Sequence, residues 1–161
     1  MQAEKVRSLE ILTKEQIEKL EKIVEKNYGS HFDLQQFFVL KTSEDKMWIA
    51  TKEVANMAFE KIPVNSIGLY LGKIKRNDKI NLSVEGCQLV GKDAKKNVAL
   101  LDEEAAERFL HGEDVMPKEA VNCEEHNFVM VKHEGDFLGS SPFEGKKIKN
   151  MLPKSRRLAI L

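Results

Sequence analysis

The sequence predicts an α+β protein: an N-terminal α/β domain with antiparallel hairpins over residues 1–93, then a strand-rich domain with one short helix over residues 94–161. Three patterns predict it. Apolar residues recur at helical spacing through 14–27, paired segments of period two follow, and a polar, charged break at 91–96 separates two sets of elements. The 161 residues are 42% apolar and 32% charged, with 26 basic and 26 acidic side chains. Such a composition can bury a core and argues against a disordered chain.

The elements follow in order. Thr13 with Gln16 three residues on forms a capping-box pattern, Ile17, Leu20, Ile23 and Val24 make the apolar stripe, and Gly29 stops the helix. Residues 37–41 and 47–50 read as two short strands joined by the turn-forming residues 42–45. Thr51 is placed to cap a helix with Val54, Met57, Ala58 and Ile62 on one face and Pro63 at its end. The period then changes to two. Ile67, Leu69 and Leu71 share one side of a strand, Ile80, Leu82 and Val84 share the same side of another, and residues 75–78 turn between them. Cys87 is expected at the end of that second strand as a small buried residue.

Past the break, a strand at 97–101 leads to Asp102 as an N-cap and a helix carrying Ala105, Ala106, Phe109 and Leu110, closed by Gly112. Strands at 127–132 and 136–140 flank a glycine turn, and a last apolar strand is expected at 157–161.

Several function classes are excluded by pattern. No apolar run approaches the ~20 residues that span a bilayer, the first ten residues are charged, and two cysteines are too few for a disulfide scaffold, so a cytoplasmic protein off the membrane is expected. Cys123 and His126 lie close together but lack the second pair that zinc needs, and no metal or other cofactor is expected. The run from Gly139 to Lys147 has the wrong glycine spacing for a phosphate loop and no Ser or Thr after the lysine. Carboxylates in the first turn of the 102–110 helix are explained by the helix dipole, so the chain is read as non-catalytic.

Charge is neutral in total and segregated along the chain. Residues 102–126 hold nine carboxylates against two bases, residues 143–157 hold six bases against Glu144, and residues 73–96 hold seven bases against three carboxylates. A local basic patch attracts phosphate whatever the total, so nucleic acid is a candidate partner. The alternative for the 73–79 hairpin is an edge guarded by lysines against sheet-to-sheet pairing.

The segment 101–115, Leu-Asp-Glu-Glu-Ala-Ala-Glu-Arg-Phe-Leu-His-Gly-Glu-Asp-Val, resembles the helix and glycine turn of the PUA domain, an RNA-binding pseudobarrel. Phe128-Val129-Met130-Val131 followed by Gly135-Asp136-Phe137-Leu138-Gly139 is similar to its central hairpin. With Gly68 to Lys73, Asn81 to Val84 and the ending Ile148 to Leu158, the likeness extends over residues 64–161 to two groups: small two-domain PUA proteins of large-subunit ribosome biogenesis, and the C-terminal extension of Sun-type RNA cytosine-5 methyltransferases.

The resemblance implies a PUA-type β-pseudobarrel and structured RNA, ribosomal or transfer, as partner. By position it points to Lys146, Lys147, Lys149, Lys154, Arg156 and Arg157 as phosphate contacts, with Asn150 reading a base or sugar. Lys73, Lys75, Arg76 and Lys79 form a secondary set. His111-Gly112 matches the family's turn, but Glu113 and Asp114 beside it would repel phosphate.

Three functions are expected from this reading. The first is a non-catalytic factor in ribosomal RNA maturation or ribosome assembly that also contacts a protein partner. The second is an RNA-targeting subunit for a separate RNA-modifying enzyme such as a cytosine-5 methyltransferase, because these two domains leave no room for a catalytic one. The third is a scaffold whose basic patch docks an acidic protein.

Overall fold

The protein is described here by a computed structural model covering residues 9–53 and 68–158. Helix α1 (Lys14–Tyr28) forms as the capping pattern predicts: Thr13 Oγ1 accepts from the Gln16 amide, Gln16 Oε1 accepts from the Thr13 amide, and Gly29 ends the helix at φ +65°. Its buried stripe lies on a sheet built from β1 (Glu10–Ile11), β2 (Phe38–Thr42), β3 (Lys46–Ala50), β4 (Leu69–Lys75) and β5 (Lys79–Leu82), paired in chain order and antiparallel throughout. Both expected hairpins are present, with the second turning at Arg76–Asp78. The helix expected after Thr51 lies outside the described residues, apart from its first positions.

The second strand of that hairpin ends at Leu82 rather than Val84. Ser83 Oγ accepts from the Gly86 amide and starts α2 (Val84–Val90), so Val84 and Cys87 are helical. The spacing Ile80, Leu82, Val84 continues the strand pattern by coincidence, while the local cap redirects the chain. Cys87 is fully buried there, and burial pushes its thiol well up.

The second sheet has the order β10, β9, β8, β6, β7, with β6 (Val98–Leu100) parallel to β8 (Asn127–His133) and antiparallel to β7 (Glu119–Val121). Strands β8 and β9 (Asp136–Glu144) form the central hairpin, and β10 (Lys147–Ile148) pairs with the end of β9. Helix α3 (Glu103–Leu110) follows β6, with Asp102 accepting from the Ala105 amide at its N-cap. It packs Ala106 and Phe109 against Val129, Val131, Phe143 and Ile148.

Residues 157–158 do not form the expected last strand, and 159–161 lie outside the described residues. Leu158 donates its amide to the Leu110 carbonyl, and its own carbonyl lies 3.2 Å from His111 Nδ1. Its backbone is engaged by the end of α3 instead of by a neighbouring strand.

The two sheets share a core. Val98, Met130 and Phe137 of the second sheet join α1, α2 and the first sheet in one buried apolar cluster. Residues 91–96 are packed in place: a Cβ on Gly91 would lie 2.4 Å from the Phe137 ring, and the Lys95 amide donates to the Tyr28 carbonyl. Asp93 accepts from the Ser30 hydroxyl and the His31 amide, and these bonds hold its carboxyl below the ordinary range.

A buried asparagine cluster completes the junction. Asn27 donates to the carbonyls of Ile23 and Asp78, Asn97 donates to the Asn27 carbonyl, and Asn127 donates to Asn27 Oδ1 at 3.2 Å. Buried amides satisfied by partners from both sheets fix one relative placement, because any slip would leave them unpaired.

Candidate nucleic-acid interface

The C-terminal basic stretch begins at the tip of the β9–β10 turn, where Gly145 and Lys146 both have positive φ. Glu125 accepts both their amides, at 2.8 and 3.0 Å, and these backbone bonds hold its carboxyl below the usual carboxylate range. Lys147 and Lys149 flank Ile148, which is buried, so alternation along the strand turns both lysines outward. Lys146, Lys147, Lys149 and Lys154 are all exposed, and none forms an ion pair among the described residues.

The other three residues of the stretch have structural partners. Asn150 donates from Nδ2 to the carbonyls of Phe109 (2.7 Å) and Glu113 (2.9 Å), and its Oδ1 accepts from the Leu152 amide. Both amide protons are spoken for, so Asn150 acts as the anchor that ties the stretch to α3. Arg157 is half-buried, with Nε donating to the Leu152 carbonyl and its side chain against Gly112. Arg156 reaches across to α2 and pairs with Glu85. Partial burial alone would raise the Glu85 carboxyl, but the Arg156 hydrogen bond and charge outweigh it and hold the group below its ordinary value.

The hairpin set is different. Lys73 shares the Glu44 carboxylate with Lys46, both at 3.8 Å, and Lys79 donates to the His126 carbonyl in the loop before β8. Arg76 stands exposed at the turn and Lys75 is half-buried.

The acidic side lies around α3. Glu113 pairs with Arg108 at 3.6 Å, and Asp114 accepts the Asn150 amide at 2.8 Å. Asp102, Glu104 and Asp114 share a shallow crevice with Lys147. Carboxylates therefore crowd the side of the His111-Gly112 turn, and cations unpaired among the described residues stand towards Lys149 and Lys154.

Among the described residues no group of three or more His, Cys, Asp or Glu is placed to hold a metal ion. Cys123 donates to the Val98 carbonyl, and partial burial pushes its thiol up to about 11. No described helix is long and apolar enough to cross a membrane.

Residues 96–158 match the family model described as the methyltransferase RsmF PUA domain. This region is a PUA domain. Its likeness is to the C-terminal region of Sun-type RNA methyltransferases, and no curated protein matches the chain. Within the PUA domain, the parallel pairing of β6 with β8 and the anchoring role of Asn150 have no signature in the residue order. The Glu85 partner of Arg156 is equally hidden there, because it comes from 71 residues upstream.

Proposed function

We propose that the protein is a non-catalytic RNA-binding factor whose PUA domain holds structured RNA through the C-terminal stretch. The observation that carries this reading is that Lys146, Lys147, Lys149 and Lys154 stand exposed without carboxylate partners among the described residues, on a segment anchored by Asn150 and Arg157. Lysines held this way offer charge to phosphates without first breaking an ion pair, and phosphate contacts supply most nucleic-acid affinity. The PUA match supports RNA as the partner.

The role assigned is in ribosomal RNA maturation or ribosome assembly. A second reading, favoured by the match to a methyltransferase PUA domain, makes the chain the RNA-targeting subunit of a separate cytosine-5 methyltransferase.

Filter binding against total ribosomal RNA and transfer RNA at several salt concentrations tests the shared claim. Tight, salt-sensitive binding with a preference for one RNA is expected, and no binding at low salt would overturn it. Affinity capture from cells separates the two roles: assembly factors with ribosomal RNA support the first, and a methyltransferase supports the second.

A further inference from the structure

A cleft of about 380 Å³ opens between the two sheets. Its walls include Tyr70, Asn81 and Leu82 of the first sheet and Met151, Ser155 and Arg156 of the C-terminal stretch. The space falls near the lower end of the ~300–1,000 Å³ range of small-ligand sites. A space of that volume holds one nucleobase and not a duplex.

The polar atoms at its walls are few and oriented. Ser140 Oγ lies 2.6 Å from the Asn81 side-chain amide and 2.8 Å from the Leu82 carbonyl, and Asn81 has no other side-chain partner among the described residues, so one polar atom of its amide is left for the cleft. Burial raises the Tyr70 phenol, so it stays protonated as a donor, and Glu85 supplies an acceptor. Arg156 at the wall is held by Glu85 through one terminal nitrogen. Met151, 45% exposed, gives an apolar surface at the mouth, and Lys154 stands exposed on the same segment. Donors and an acceptor beside apolar walls, with cations at the rim, match the base and phosphate of a splayed-out nucleotide.

We propose that this cleft receives one unpaired nucleotide of the bound RNA, with the base inside and the phosphate at the rim on the side of Lys154. The proposal rests on the RNA-binding reading and adds a recognition element to it: exposed lysines hold backbone of any sequence, whereas the cleft demands an unstacked base and so selects loops and bulges over continuous helix.

Trp48 is the only tryptophan, and its ring centroid lies 5.0 Å from that of Tyr70, so its fluorescence reports on the cleft. Titration of the full chain with each of the four nucleoside monophosphates is expected to give a saturable change in that signal. Met151→Ala and Ser155→Leu alter exposed positions of the wall and leave every charge in place. Each is expected to weaken binding of a stem-loop RNA roughly tenfold, with unchanged salt dependence and unchanged affinity for a duplex of equal length.

Absence of any fluorescence response, or wild-type affinity of both variants for the stem-loop, overturns the proposal. So does an acidic peptide that produces the fluorescence change when nucleotides do not. A wild-type chain that binds neither RNA removes the RNA-binding reading by itself, and the nucleotide titration still decides the cleft.

Discussion

The β4–β5 hairpin and the C-terminal stretch are both basic in sequence, yet the fold treats their charges differently. In the hairpin, Lys73 shares a carboxylate with Lys46, and Lys79 is bonded to the His126 carbonyl in the loop before β8. In the C-terminal stretch the anchoring is done by Asn150 and Arg157, and the four lysines are left exposed. A count of bases along a chain therefore overstates the cations left free of partners. The hairpin ties down Lys73 and Lys79, whereas the C-terminal stretch is tied down by Asn150 and its two arginines and holds four lysines out.

The largest effect is expected from breaking the anchor. Asn150→Ala leaves the Phe109 and Glu113 carbonyls without their side-chain donor and should cost about 1–3 kcal/mol, a fall of roughly 5 °C in melting temperature. RNA affinity should fall with it although no base is removed, as binding titrations below the melting transition would show. Unchanged stability and affinity would mean that the stretch does not depend on this tie.

A smaller effect is expected where the C-terminal stretch meets α2. Arg156→Ala should cost about 0.5–1 kcal/mol at neutral pH, because the pair with Glu85 is partly exposed. The pH dependence has a definite sign. Glu85 is held below its ordinary value in the folded chain, so the pair stabilises above the unfolded carboxyl value of about 4.3, and that stability is lost as pH falls through the folded value. The melting-temperature gap between wild type and variant should therefore close in acid. A gap that persists at pH 2 would assign the loss to packing.

The smallest binding effect is expected from the hairpin. Replacing Lys73 and Lys79 by alanine should change RNA affinity less than about threefold, since Lys73 is held beside Glu44 and Lys79 on the His126 carbonyl. A large drop in a binding titration would show that RNA displaces their present partners.

Much of the fold is legible in the sequence, for local reasons. The Thr13 and Gln16 capping box, the Asp102 cap and the alternation of the hairpins act within a few residues, and each element forms near its expected bounds. What stays hidden is settled by distant partners or by competing local signals. Ser83 caps a helix where Val84 continues a strand pattern, and Leu158 finds the end of α3 instead of a sheet. The segregation of charge in the C-terminal stretch is visible from residue order alone. That Asn150 anchors and Arg156 pairs is not, because Phe109, Glu113 and Glu85 come from other elements.

The most direct measurement is the salt dependence of RNA affinity for two variants, one with Lys146, Lys147, Lys149 and Lys154 replaced by alanine and one with Lys73 and Lys79 replaced. Each phosphate that a lysine neutralises adds about 0.7–0.9 to the slope of log affinity against log salt, so the C-terminal variant should show a slope shallower by about 3, and the hairpin variant one shallower by about 1 or less. Equal changes in the two variants, or a wild-type slope in the C-terminal variant, would contradict the account.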